Sequence, residues 1–338
     1  MAMTVLTKED CSVYLLEQAA WGTAGLDDAA GIILDIETIA IDFDDKAVES
    51  APALATRVDD ERGFLTHQNA VMPKFEIAGI VHNDTIARFI YGFGQSVTEG
   101  EATPFDKTNI VHASQPDFTA DLGYFFTLIV DQSEASVCHK VKDCIVAELE
   151  FDQKPGEPMT FKASCVGRGA VAIDCEPAGT YTHVVQSFYY GEKQGAHTIN
   201  FGGSDLTPVD TGGFNIKLKQ TVLPIGMDGS GNFLSFGLSN KTGSYTEKAL
   251  FDATTRTAFA NRSTNTAVNI VCRWGNATPG TDDLDLSFAL HGKITPATIQ
   301  NVDALLGVDL DIKLVGRKET TAIEMATIVV ADGVDMTW

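Results

Sequence analysis

Along residues 144–169 apolar and polar positions alternate with a period of two. Ile145, Ala147, Leu149 and Phe151 take turns with Val146, Glu148 and Glu150; further on, Met159, Phe161, Ala163 and Cys165 take turns with Thr160, Lys162 and Ser164. Successive side chains of a strand point to opposite faces, so each run predicts a strand with one apolar face and one mostly polar face. Between them, Gln153-Lys154-Pro155-Gly156-Glu157-Pro158 is too rich in Pro and Gly to continue a helix or a ladder. The expectation is a hairpin with one wet side.

The same period recurs elsewhere. Before this hairpin it predicts strands over Asp35–Phe43, Phe75–His82 and Tyr124–Val130, with a helix from the Asn83-Asp84 cap through Ile86, Phe89 and Ile90 to the stop at Gly92 and Gly94. After it, Phe214, Ile216 and Leu218 alternate with Asn215, Lys217 and Lys219. The turn Asp228-Gly229-Ser230-Gly231-Asn232 then predicts a return strand carrying Leu234, Phe236 and Leu238. Ser244-Tyr245-Thr246-Glu247 has the spacing of a capping box and predicts a short helix through Phe251. Val268, Ile270, Cys272 and Trp274 alternate, as do Leu284, Leu286, Phe288 and Leu290 against Asp283, Asp285 and Ser287; strands over Val308–Val315 and Ala322–Val330 end the pattern.

Hairpin, helix, hairpin is thus stated twice. The expected layout is mainly β, with an arm at 1–30 (a short helical piece over Thr7–Ala20), a domain at 31–200 and a second domain at 201–338. The connection from Asp44 to Pro73, about thirty residues, is several-fold longer than an ordinary loop, which marks it as a candidate contact with a partner.

Charge narrows the function. Of 338 residues 24 are Lys or Arg and 46 are Asp or Glu, a net charge of −22, so most of the surface repels nucleic-acid phosphates and anionic lipid. No segment reaches the roughly 20 apolar residues of a spanning helix, and residues 1–21 lack the pattern of a secretory signal. The chain is expected to stay in the cytoplasm where it is made. Its six cysteines, without paired spacing, are then expected to be buried thiols acting as small apolar residues.

No chemistry emerges from the motifs. The seven histidines form no His-x-x-x-His or Glu-flanked pair, and Cys138-His139 with Cys144 lacks a fourth metal ligand nearby. Asp228–Asn232 begins like a calcium loop but has Phe233 where that loop needs Gly and Ser239 where it needs Glu. Gly92-Phe93-Gly94 lacks the Lys-Ser/Thr or third Gly of a phosphate or dinucleotide loop. No catalytic residue, metal or cofactor is expected.

One stretch resembles a known family. Lys142-Asp143-Cys144-Ile145-Val146-Ala147-Glu148-Leu149-Glu150-Phe151, with Pro155-Gly156-Glu157-Pro158-Met159-Thr160-Phe161-Lys162-Ala163-Ser164-Cys165-Val166-Gly167, is similar to the strand, Gly-Glu-Pro turn and return strand of tail tube proteins of long-tailed bacteriophages. The similarity covers about a tenth of the chain. It implies two tandem tube-like β-sandwich/barrel domains, each with a short helix, whose hairpins join those of neighbours into a ring barrel. Three two-domain chains would make a ring of six domains, with a hexamer as the alternative, and rings would stack into a hollow tube.

On that resemblance the chain is a structural virion protein, assembled in the host cytoplasm and residing in the virion tail. Its partners are itself, the tape-measure protein and other tail proteins; DNA passes through the lumen during ejection without specific binding, and no membrane is involved. Glu148, Glu150, Asp283 and Asp285 are the candidate lumen-lining residues of an acidic bore, and Lys162, Lys217, Lys219 and Arg273 are their outward or inter-strand partners. Asp59, Asp60, Glu61 and Arg62 mark the candidate inter-ring loop, and Pro155, Gly156, Glu157 and Pro158 form the family-like turn. The competing expectation is a β-rich capsid decoration or receptor- and glycan-binding protein, with Phe188-Tyr189-Tyr190 as its aromatic platform.

Overall fold

The computed structural model describes residues 12–18, 31–34, 36–42, 47–49, 66–68, 72–94, 97–99, 105–112, 125–132, 137–154, 157–172, 181–183, 194–201, 204–206, 213–227, 233–260, 268–275, 285–294, 299–302, 305–315, 317–319 and 322–332. They form a mainly β structure of large antiparallel sheets with two helices. In chain order the first part holds β1 (Ser12–Glu17), β2 (Gly31–Ile33), β3 (Thr38–Asp42), β4 (Ala47–Glu49), β5 (Thr66–Gln68), β6 (Lys74–Ile80), α1 (Asn83–Gly94), β7 (Val97–Glu99), β8 (Phe105–His112), β9 (Phe126–Gln132), β10 (Val137–Gln153), β11 (Thr160–Ala172) and β12 (Tyr181–His183). The second part holds β13 (Gln194–Phe201), β14 (Ser204–Leu206), β15 (Phe214–Lys219), β16 (Val222–Met227), β17 (Phe233–Leu238), β18 (Thr242–Leu250), α2 (Ala253–Ala260), β19 (Val268–Gly275), β20 (Asp285–Ile294), β21 (Ile299–Val302), β22 (Leu305–Leu314), β23 (Arg317–Glu319) and β24 (Ala322–Asp332).

The alternation of residues 145–165 becomes the hairpin β10–β11, with Phe151 opposite Phe161 and Glu150 opposite Lys162. This hairpin is the centre of one long antiparallel sheet in the order β3-β6-β11-β10-β15-β18-β22. Its apolar face carries Phe75, Ile77, Phe161, Leu149, Phe151, Ile216, Leu218, Tyr245 and Ile312, all buried in one core. Against that face pack α1, through Phe89 to Phe161, and a second sheet in the order β7-β8-β24-β20-β19-β13-β14. Phe151 meets Phe288 of the second sheet at 4.9 Å, and Trp274, Phe214 and Tyr245 extend that aromatic contact through the core. Each such buried side chain contributes about 1.5–3 kcal/mol.

Connectivity repeats along the chain. β3 and β6 pair, α1 follows β6, and after the pair β9–β10 the strand β11 returns to lie beside β6. β15 and β18 pair, α2 follows β18, and after the pair β19–β20 the strand β22 returns to lie beside β18. Both β10 and β20 serve two partners on one edge: β9 then β15 for the first, β24 then β22 for the second. The halves are nevertheless joined. One buried cluster takes residues from both, β8 pairs with β24, and residue 200 falls inside β13, whose partner β19 belongs to the second part.

Several local expectations are corrected. Within the arm at 1–30 and the helical piece over Thr7–Ala20, Ser12–Glu17 is a strand between β9 and β2, with Val13, Leu15 and Leu16 buried. Burial on both faces removes the alternation that identifies a strand. Ser244–Glu247 does not open a helix, because β18 is bonded along both edges, to β15 and β22, and that tertiary pairing overrides the local capping signal. The helix begins later, where Asp252 Oδ1 accepts the Thr255 N–H at 2.7 Å. Leu234, Phe236 and Leu238 do not return against β15; they lie in β17, which pairs with β16 in a separate two-stranded sheet. The connection from Asp44 to Pro73 contains the paired strands β4 and β5. Cys138 is disulfide-bonded, against the expectation of thiols only, while Cys144, Cys165 and Cys272 are free and buried.

Gly292 sits where β20 passes from β24 to β22. A Cβ there would lie 2.4 Å from Ile312 Cγ2 and 2.9 Å from the Lys313 carbonyl oxygen. Gly292→Ala is therefore expected to lower stability by about 1–3 kcal/mol, read from urea unfolding, and an unchanged midpoint would count against this packing.

Candidate functional site

The face of the long sheet opposite the core is polar across all seven strands. Its carboxylates are Asp42, Glu76, Glu148, Glu150, Asp152, Asp309 and Asp311; its ammonium groups are Lys74, Lys162, Lys217, Lys219, Lys248 and Lys313. Seven acids against six bases leave this face nearly neutral, although the chain carries −22. Glu148 and Glu150 lie on this polar face, beside lysines and not as a bare acidic wall.

The pairing is dense at the joint between β10 and β15. Lys217 Nζ lies 2.5 Å from Glu148 and 3.1 Å from Glu150, and Lys219 Nζ lies 2.7 Å from Glu148. Asn215 donates to Glu150 at 2.8 Å, and on the other side of the hairpin Lys162 meets Glu76 at 2.7 Å. The lysines are inter-strand partners, as the sequence suggests. Partial burial alone raises the Glu148 carboxyl, but Lys217 and Lys219 outweigh it and hold it below its ordinary 4.5. For Glu150 the same desolvation is overcome by Asn215 and Lys217, and Lys217 in turn is raised, chiefly by its bond to Glu148.

Other site residues fare differently. Asp285 is in register opposite Gly275 and Ala331, at the start of β20 in the second sheet and not in the long one. Asp283, Asp59, Asp60, Glu61, Arg62, Pro155, Gly156 and Phe188–Tyr190 lie outside the described residues. Glu157 and Pro158 are exposed at the β10–β11 turn, where Gln153 Nε2 donates to the Lys154 and Glu157 carbonyls.

Sequence reasoning missed a buried network behind the hairpin. Asp143, at φ 54°, accepts from Gln18 Nε2 and from Arg168 at 3.2 Å, and its N–H donates to Gln18 Oε1 at 2.9 Å. Arg168 Nε also donates to the Phe233 carbonyl at the start of β17. Only the positive φ at a non-glycine residue marks the place, and sequence does not display it. A second cluster joins His197 Nε2, the Tyr245 hydroxyl and Glu247 Oε2, with Tyr245 donating to Glu247 at 2.6 Å.

Among the described residues, no group of three or more His, Cys, Asp or Glu side chains is placed to hold a metal ion, and no helix is long and apolar enough to cross a membrane. No protein-family model matches the chain, and no curated protein matches it.

Two tests follow from the charge geometry. A carboxyl held low in the folded chain stabilises it above the unfolded value, and that contribution is lost as pH falls through the folded value. Wild type is expected to lose stability on acidification below 4.5, and Lys217→Met to lose about 1 kcal/mol less over the same step, since these groups are only partly buried. Equal acid sensitivity in urea titrations of both proteins would refute the pairing. Arg168→Met removes the guanidinium that meets buried Asp143 at 3.2 Å, and is expected to cost about 3–5 kcal/mol; a loss below about 1 kcal/mol by the same assay would show that the network is dispensable.

Proposed function

We propose that this chain is a phage tail tube subunit, which closes with its own copies into a ring and stacks into a hollow tube for DNA passage. The observation that carries the reading is the long sheet: a wet face across seven strands, a core on the other face, an outer edge at β3, and at β22 a continuation onto Gly292–Ile294 of β20. β3 pairs only with β6 among the described strands, and beyond Gly292 the β19 edge of β20 has no strand partner among the described residues. An open edge is a template for another strand, and ring closure removes it.

The repeat supplies the geometry of closure. Inside the chain, β15 adds to the edge of β10 beyond its pairing with β9. In the equivalent place on β20, just past its pairing with β19, the β3 of a second copy would add in the same way. Three copies then close six repeats, the arrangement favoured here; a hexamer is the alternative. The polar face would line the bore as a mixed ladder of Glu and Lys, replacing the acidic wall expected from sequence. The similarity of residues 142–167 to tail tube hairpins supports the same reading.

Negative-stain electron microscopy of the purified chain over a concentration series tests it. Rings or hollow rods with threefold end views are expected; compact particles at every concentration, including with tape-measure and tail-tip partners present, would remove the proposal.

A further inference from the structure

We propose that Lys293 and Lys313 form a contact site for phosphodiester groups on the polar face, one site in each chain; taking the DNA backbone as its ligand rests on the ring reading above. The two lysines stand directly opposite each other on β20 and β22. Ile294 and Ile312, the neighbouring pair, are buried, so both ammonium groups are on the wet side, Lys313 exposed and Lys293 partly so. Like charges directly opposite on adjacent strands repel unless an ion of the other sign lies between them. On the same face Lys162, Lys217 and Lys219 each meet a carboxylate, at 2.7, 2.5 and 2.7 Å respectively. Among the described residues Lys293 and Lys313 have no such partner, and Asp311, the next residue of β22 on this face, forms no ion pair with either.

The first half has no equivalent. Val166 opposes Lys74 on β6 as Lys313 opposes Ser244 on β18, each at the same separation along the chain from the helix that follows. Val166 is buried in a cluster with Val222, Phe236 and Leu238 of the β16–β17 hairpin, whereas Lys313 faces solvent. A ring of three chains then carries three such sites, not six. Two ammonium groups are point charges on flexible stems, which suits the oxygens of a phosphate and reads no base. On a chain of net charge −22 their pull is short-ranged and the hold is weak. Such a contact touches passing DNA without selecting its sequence.

The test is fluorescence anisotropy of a labelled short DNA duplex with the full chain at low ionic strength, with electron microscopy of the same samples. Wild type is expected to bind weakly, its affinity falling with salt at a logarithmic slope of about −2 for two neutralised phosphates. Lys293→Gln combined with Lys313→Gln is expected to weaken binding at least about fivefold and to melt no lower than wild type, since a repulsive pair is removed. Lys154→Gln combined with Lys248→Gln, which changes the net charge equally, is expected to bind as wild type does. No binding by wild type, or an equal loss in both double variants, would overturn the inference. So would displacement of the duplex by polyglutamate as readily as by unlabelled DNA, which would make an acidic peptide the ligand. Each of these results leaves the ring reading intact where rings are seen; binding of the expected pattern by a chain that forms no rings would remove the ring reading and leave the phosphate site standing.

Discussion

Strand β10 must satisfy backbone groups on both edges over 17 residues, and it does so only by drawing partners from both halves of the chain. β11 holds one edge. On the other, β9 stops at Cys144 and β15 begins at Glu148, so the ladder is interrupted where the partners change. Buried N–H and C=O groups cannot be left there without a substitute. Gln18 Oε1 accepts the Asp143 N–H at 2.9 Å, Gln220 Nε2 donates to the Val146 carbonyl at 2.6 Å, and the Gln220 N–H donates to the Ala147 carbonyl at 2.9 Å. Two side chains and one backbone N–H from outside the strands thus complete a ladder that strands alone cannot.

From that register the two faces follow. A slip of one residue at β10 would turn Leu149 and Phe151 toward water and Glu148 and Glu150 into the core. The cost would be borne on both sides, since Phe151 meets Phe288 while Glu148 and Glu150 are paired across the strand with Lys217 and Lys219. The polar ladder and the aromatic contact select the same alignment. That agreement ties the second half to the first more firmly than either set of contacts would alone.

The strands most visible in the sequence are those with one wet face. Residues 145–165 and 268–290 alternate because their outer positions must tolerate solvent, and the structure places them as expected. β1 was not visible, because Val13, Leu15 and Leu16 are buried on both faces, and β18 was hidden by Ser244 and Glu247, whose capping pattern is genuine local chemistry overridden by two neighbouring strands. The acids of the site were legible as positions on a polar face, but their neutralisation was not. It depends on which strand lies beside β10, and Lys217 is 67 residues from Glu150. The Gln18–Asp143 contact spans 125 residues and is set by a break in pairing, which no local pattern announces.

A balanced polar face bears on the proposed passage of DNA differently from an acidic one. Carboxylates alone, brought opposite one another on adjacent strands around a ring, would repel and weaken the strand joints that the ring needs. Lysines alone would trap phosphates. With Lys217 shared between Glu148 and Glu150 and Lys219 on Glu148, a phosphate gains an ammonium contact only by displacing a carboxylate already within 2.5 to 3.1 Å. Beyond about 8 Å, physiological salt screens what field remains. Neither strong attraction nor strong repulsion is then left to act on a polyanion at the centre of a bore, and the same ion pairs that would make the wall indifferent to DNA hold β10 against β15.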